Sequence, residues 1–80
     1  MPRYFFHIYD GELFLDRDGT EFADIYTAQA EAIRLSGEVL REMQAKFWNE
    51  KEWKMEVADE RGRVLFTLRF LGQESSNGAP

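Results

Sequence analysis

The sequence predicts an α+β domain of order ββαββ, with one long helix packed on one face of a four-stranded antiparallel sheet. Three observations carry this. Residues 3–9, 53–58 and 63–70 alternate as strands do, with successive side chains on opposite faces. Asp10-Gly11, Asp18-Gly19 and Asp59-Glu60-Arg61-Gly62 are turn signals at the ends of extended segments. Between the two strand pairs, residues 25–47 repeat their apolar positions at about 100° per residue, the period of a helix. Eighty residues make one domain. We place it at residues 1–71, followed by a tail at 72–80 that is small, polar and aperiodic, and so expected to be disordered.

The first strand, Arg3-Tyr4-Phe5-Phe6-His7-Ile8-Tyr9, is bulky on both faces, as expected of a strand covered on both sides. Asp10-Gly11 should turn the chain into a short second strand at 13–15. Residues 16–21 form a polar loop, and Phe22 anchors it. Asp24 is placed to cap the helix, where its carboxylate accepts from free N–H groups of the first turn. Ile25, Ala28, Ala32, Ser36, Val39, Leu40, Met43 and Phe47 share the apolar stripe. Gly37 inside the helix costs about 1 kcal/mol relative to Ala. Residues 48–52 form a polar connection carrying Trp48. In the third strand Trp53, Met55 and Val57 share one face and Lys54, Glu56 and Ala58 the other. In the fourth, Val64, Phe66, Leu68 and Phe70 point inward, and Leu65, Thr67 and Arg69 outward. An order 2-1-3-4 keeps all neighbours antiparallel and the first strand inside; 2-1-4-3 is the alternative.

Composition narrows the function. Seven Phe, three Tyr and two Trp supply a core for so short a chain. The absence of cysteine removes a disulfide framework, a thiol nucleophile and Cys-based metal sites. No apolar segment follows Met1-Pro2-Arg3 and no run is long enough to span a membrane, so a cytoplasmic location is expected. Fifteen acidic against ten basic residues, a net charge of −5, argue against nucleic acid or an anionic membrane as the main partner.

The opening Arg3-Tyr4-Phe5-Phe6-His7, the steps Asp10-Gly11 and Asp18-Gly19-Thr20-Glu21, Asp24 before an Ala- and Glu-rich helix, and the ending Val57-Ala58-Asp59-Glu60-Arg61-Gly62-Arg63-Val64-Leu65 resemble a family of short, uncharacterised bacterial proteins. That resemblance, over residues 2–70, implies a fold and no activity. A weaker likeness to HicB-like antitoxins lies in the Asp-Gly hairpin and the Ala/Glu-rich helix. The chain lacks their Pro-Gly-Cys-type turn and room for a DNA-binding domain, and no residue role is carried over.

Candidates for chemistry are few. His7 is the only histidine, and a general base needs an orienting partner, for which Glu56 on an adjacent strand is the candidate. Against this stands a strand histidine stacked among Phe5 and Tyr9. Asp16-x-Asp18-Gly19-x-Glu21 matches part of a calcium loop but lacks its later ligands, and a turn capped by its own Asp side chains explains it. No phosphate loop, nucleophile elbow or His-Glu-x-x-His pattern occurs. An enzyme, a cofactor, a metal site and a small-molecule ligand are therefore not expected. One helix covers one face, which leaves Phe5, His7, Tyr9, Leu65 and Arg69 on the other. The expected function is a small non-enzymatic module that self-associates or binds a protein through that face. Cover by a loop, the tail or Trp48, and an antitoxin-like or nucleic-acid-associated role, are the alternatives.

Overall fold

A computed structural model describes residues 1–76. The strands are β1 (Arg3–Tyr9), β2 (Leu13–Phe14), β3 (Thr20–Glu21), β4 (Glu52–Ala58) and β5 (Val64–Leu71). The helices are α1 (Ile25–Met43) and α2 (Phe47–Glu50), joined by a 3-10 turn at Gln44–Lys46. The main sheet runs β2-β1-β4-β5, all antiparallel, the first of the two expected orders.

The sheet has five strands, where four are expected. The extra one, β3, pairs Arg3 with Glu21 and Tyr4 with Thr20, beside the start of β1. β2 pairs with the end of β1, Ile8 facing Phe14 and Tyr9 facing Leu13. Between them the chain leaves β1, and Asp16 replaces the missing ladder partner by accepting the Phe6 N–H on Oδ2 at 3.1 Å. One edge of β1 is therefore covered in two short pieces.

Asp24 caps α1 as expected: its Oδ1 accepts from the Thr27 N–H and the Thr27 hydroxyl, each at 2.9 Å. Ala28, Ala32 and Ser36 are buried, and their small side chains bring α1 down onto the sheet. The Ser36 hydroxyl bonds back to the Ala32 carbonyl at 2.7 Å, which satisfies it inside the core. Leu35, Val39, Leu40 and Met43 pack around them. α1 does not run unbroken to Phe47. It stops at Met43, where Gln44 takes a positive φ of 47°, and the chain resumes as the turn of helix α2. Lys51, with φ 62°, ends α2 in the left-handed conformation. The expected polar connection at 48–52 is thus largely helical, and Phe47 is buried on α2 rather than on α1, its ring centroid 5.6 Å from those of Trp48 and Phe70.

The core lies between α1 and the face of the sheet carrying Tyr4, Phe6, Trp53, Met55 and Val57, all buried. Phe22 closes its end, with ring centroids 6.1 Å from Tyr4 and 6.0 Å from Phe6. Phe66 and Leu68 pack against this core, whereas Val64 and Phe70, also expected inward, are about half exposed. The sheet ends at β5, which is partly covered by the α1 side of the core.

Residues just past β5 remain tied to the domain: Gly72 N–H donates to the Lys51 carbonyl at 2.9 Å, and Lys51 pairs with Glu74 at 2.9 Å. Of the expected disordered tail, 77–80 lie outside the described residues.

Two glycines should respond oppositely to alanine. A Cβ on Gly72 would stand 2.6 Å from Phe47 Cε2 and 2.8 Å from Trp48 Cζ3, and the Phe47 ring is buried. Gly72→Ala is expected to cost about 1–3 kcal/mol by overpacking. Among the described residues no atom outside its own helix lies within 4 Å of a Cβ position on Gly37, so Gly37→Ala is expected to stabilise by about 1 kcal/mol through helix propensity. Denaturant titration of both variants checks the opposite signs.

Candidate functional site

The face of the sheet away from α1 is laid out by register. Phe5 faces Ala58, His7 faces Glu56, and Tyr9 faces Lys54 across β1–β4; Glu56 faces Thr67 and Lys54 faces Arg69 across β4–β5. The five residues expected to form an interface lie on this face but in different surroundings.

Phe5 and His7 are half-buried beneath the 16–19 loop. A Cβ on Gly19, whose φ is +69°, would come 2.8 Å from Phe5 Cε2, so only glycine lets the loop lie on that ring. The Asp16 N–H donates to His7 Nδ1 at 3.1 Å, which assigns the Nε2–H tautomer. Asp16 Oδ1 accepts the Asp18 and Gly19 N–H groups at 3.1 and 3.0 Å. Partial burial pushes the Asp16 carboxyl up, but the N–H groups of Gly19, Phe6 and Asp18 outweigh it and hold the group below the usual carboxylate range. Both Asp16 oxygens are thereby engaged by backbone. The loop is a hydrogen-bonded turn, as the alternative to a calcium loop expects.

Tyr9 is also held. Its hydroxyl donates to Glu56 Oε1 at 3.2 Å, and Lys54 Nζ stands 4.6 Å from the ring centroid. Desolvation, with the hydrogen bond and negative charge of Glu56, raises the phenol above its ordinary value and keeps it a donor. Glu56 is engaged by Tyr9 and by Lys54 at 3.6 Å, while His7 Nδ1 takes a backbone N–H. The register places His7 beside Glu56, and the Glu56 carboxylate turns to Tyr9 and Lys54.

Leu65 and Arg69 stand apart, on β5. Arg69 pairs with Glu52 at 3.1 Å. Leu65 belongs to an apolar tract that sequence alternation alone does not assemble: Val64 is 50 % exposed, Leu65 37 %, Phe70 53 %, Leu71 68 %, and Ile33 on α1 62 %. Beside it a groove of about 330 Å³ runs between α1 and β5, walled by Ile33, Gly37 and Leu40 and floored by Trp53, Leu68 and Phe70. A larger hollow of about 690 Å³ between the β1–β2 turn and the end of α1 is rimmed by Asp10, Glu12, Glu42, Lys46 and Glu50. Among the described residues no group of three or more His, Asp or Glu is placed to hold a metal ion, and no helix is long and apolar enough to cross a membrane.

Comparison with known protein families matches residues 3–71 to one of them, a domain of unknown function (DUF6894). The chain belongs to this family. The DUF6894 region spans every strand and helix described above and stops at the last residue of β5. No curated protein and no solved structure matches the chain.

Ile33 and Leu71 are residues that sequence reasoning does not single out, and Gly37 enters it only as a helix-propensity cost. The available signal was in β5: an apolar strand of eight residues with one charge, placed last in the strand order, is an edge strand whose apolar residues on both faces lack cover.

Proposed function

We propose that this DUF6894 domain is a small interaction module without catalysis of its own, which docks onto a protein along the β5 border of its sheet. The exposed apolar tract of Val64, Leu65, Phe70, Leu71 and Ile33 carries this reading. These side chains lie on both faces of one border strand and on the helix beside it, and exposed apolar side chains gathered along an edge are typical of docking sites. The backbone of an edge strand adds main-chain hydrogen bonds to the apolar contact, the mode of strand addition. Phe5, His7 and Tyr9 support the border from behind: the 16–19 loop and the Tyr9–Glu56–Lys54 contacts stiffen the sheet that presents Leu65 and Arg69.

The test compares wild type with Leu65→Glu/Leu71→Glu, both changes at exposed positions. Each is expressed at native level and isolated under mild conditions, with circular dichroism to confirm equal folding. A protein retained by the wild type and lost from the variant, a second copy of the chain included, is the expected result. Equal retention by both, or nothing retained by either, overturns the proposal. Binding of single-stranded RNA that weakens with salt and is unaffected by the variant would point to a nucleic-acid role instead.

A further inference from the structure

We infer that the occupant of the β5 border is a second copy of this chain, paired antiparallel, β5 against β5, about a two-fold axis at Leu68. This rests on the interaction-module reading and names its partner.

β5 is the end strand of the order β2-β1-β4-β5, and among the described residues it pairs with β4 alone. Over Val64–Leu71 its sequence holds one charge, Arg69, and neither lysine nor proline, the usual devices that keep an edge from pairing. A two-fold axis perpendicular to the sheet keeps both helices on one side and brings residues of like parity opposite each other. Four registers then overlap over five residues or more of the strand. Centred on Phe66, the pairing brings Arg69 opposite Arg63 just beyond the strand, which is unfavourable. Centred on Arg69, the pairing sets two guanidinium groups face to face, which is unfavourable. Centred on Thr67, it sets Arg69 against Leu65, a guanidinium against an apolar side chain. Centred on Leu68, it sets Leu65 against Leu71, Phe66 against Phe70, Thr67 against Arg69, and Leu68 against itself. That register matches apolar with apolar on both faces and leaves the one charge facing a hydroxyl.

Charge favours a like copy over an oppositely charged partner. The chain carries −5, but Arg69 is the only charge on β5 and is paired with Glu52. The border therefore presents no net charge for a basic or acidic partner to read. The pairing also explains the groove. Phe66 of the second copy comes beside Phe70, against the open side of the wall that Ile33, Gly37 and Leu40 form. Among the described residues, nothing outside its own helix stands within 4 Å of a Cβ built on Gly37, which keeps that wall low where a second chain approaches.

The chain has no cysteine, so single thiols report the register. Leu65→Cys and Leu71→Cys are made separately, mixed and oxidised. In the Leu68-centred pair these positions are direct neighbours across the two-fold, within disulfide reach. Position 65 to its own copy, and 71 to its own copy, are roughly 20 Å apart, six residues along the strands. The expected result is a covalent dimer from the mixture and little from either variant alone, with wild type dimeric by sedimentation at about 100 μM, a concentration that reveals even weak pairing. Leu71→Glu, introduced twice by symmetry, is expected to weaken the dimer about tenfold. A monomeric wild type, or crosslinking of either single variant as fast as the mixture, overturns the inference. A monomer that still loses a different protein on Leu65→Glu/Leu71→Glu rejects the second copy while leaving the interaction module standing.

Discussion

Trp53→Ala is expected to lower the unfolding free energy by about 3–5 kcal/mol, the range for removing a buried large aromatic. Small domains hold only about 5–15 kcal/mol in total, so this variant should be partly unfolded under mild denaturant. Trp53 is 1 % exposed, faces Phe70 across β4–β5, and floors the groove beside α1. It joins the buried core under α1 to the thinly covered β5 side, and its loss opens both. The indole carries a cost of its own, because Nε1 is buried with no hydrogen-bond partner among the described residues. An unpaired buried donor costs about 1–3 kcal/mol. Trp53→Phe removes that donor while keeping a ring, so the two terms offset and a loss below about 2 kcal/mol is expected. Denaturant midpoints at constant slope read both. A Trp53→Phe variant as unstable as Trp53→Ala would mean that indole volume alone sets the site. Trp48, about half exposed, remains as the fluorescence reporter in either variant.

The contrast between Trp53 and Asp16 marks how far this fold is legible in its sequence. Trp53, Met55 and Val57 follow a period of two, Ala28, Ala32 and Ser36 a period near 3.6, and Asp24 stands immediately before that helix. Those regularities are local and carry their meaning with them. The two-sided bulk of β1 likewise predicts an inner strand, and β1 lies between β2 and β4. What stays hidden depends on groups distant in sequence. Asp16 and Gly19 read as a polar turn, and nothing in their spacing says that the turn folds onto Phe5 and His7. The split of the edge into β2 and β3 follows from that fold-back. Phe66 and Phe70 sit at equivalent alternating positions, yet one packs on the core and the other is half exposed. Alternation sorts side chains by face and cannot say how far a helix reaches across it. The sequence offers two alternatives for His7, and neither includes the Asp16 N–H that reaches Nδ1 from outside the strand.

Asp16→Asn is expected to destabilise the domain by about 1–3 kcal/mol and to give no partial rescue relative to Asp16→Ala, although Asn is nearly isosteric. The reason is the count of acceptors. Oδ2 accepts from Phe6, and Oδ1 accepts from Asp18 and Gly19. An amide has one acceptor oxygen and one donor nitrogen, so one side must set N–H against N–H. Either variant leaves partly buried donors unpaired. The loop should then lift from Phe5, and faster hydrogen exchange at the Phe6 and Gly19 amides would register it. The same carboxylate predicts a pH dependence. Its folded pKa lies below its unfolded value, so its stabilisation is fully present above about pH 4, the ordinary carboxylate value, and disappears as pH falls through the folded pKa. Asp24, Asp59, Glu31 and Glu74 are also held low by hydrogen bonds and cationic neighbours, so wild type and variant alike weaken in acid. Asp16 is isolated by the difference between them. The gap in unfolding free energy between wild type and Asp16→Asn should be constant from about pH 7 to pH 5 and narrow below about pH 4. A gap that stays constant into acid would show that the loop is held by its backbone conformation and by Gly19, and that the charge on Asp16 contributes nothing to holding it over Phe5 and His7.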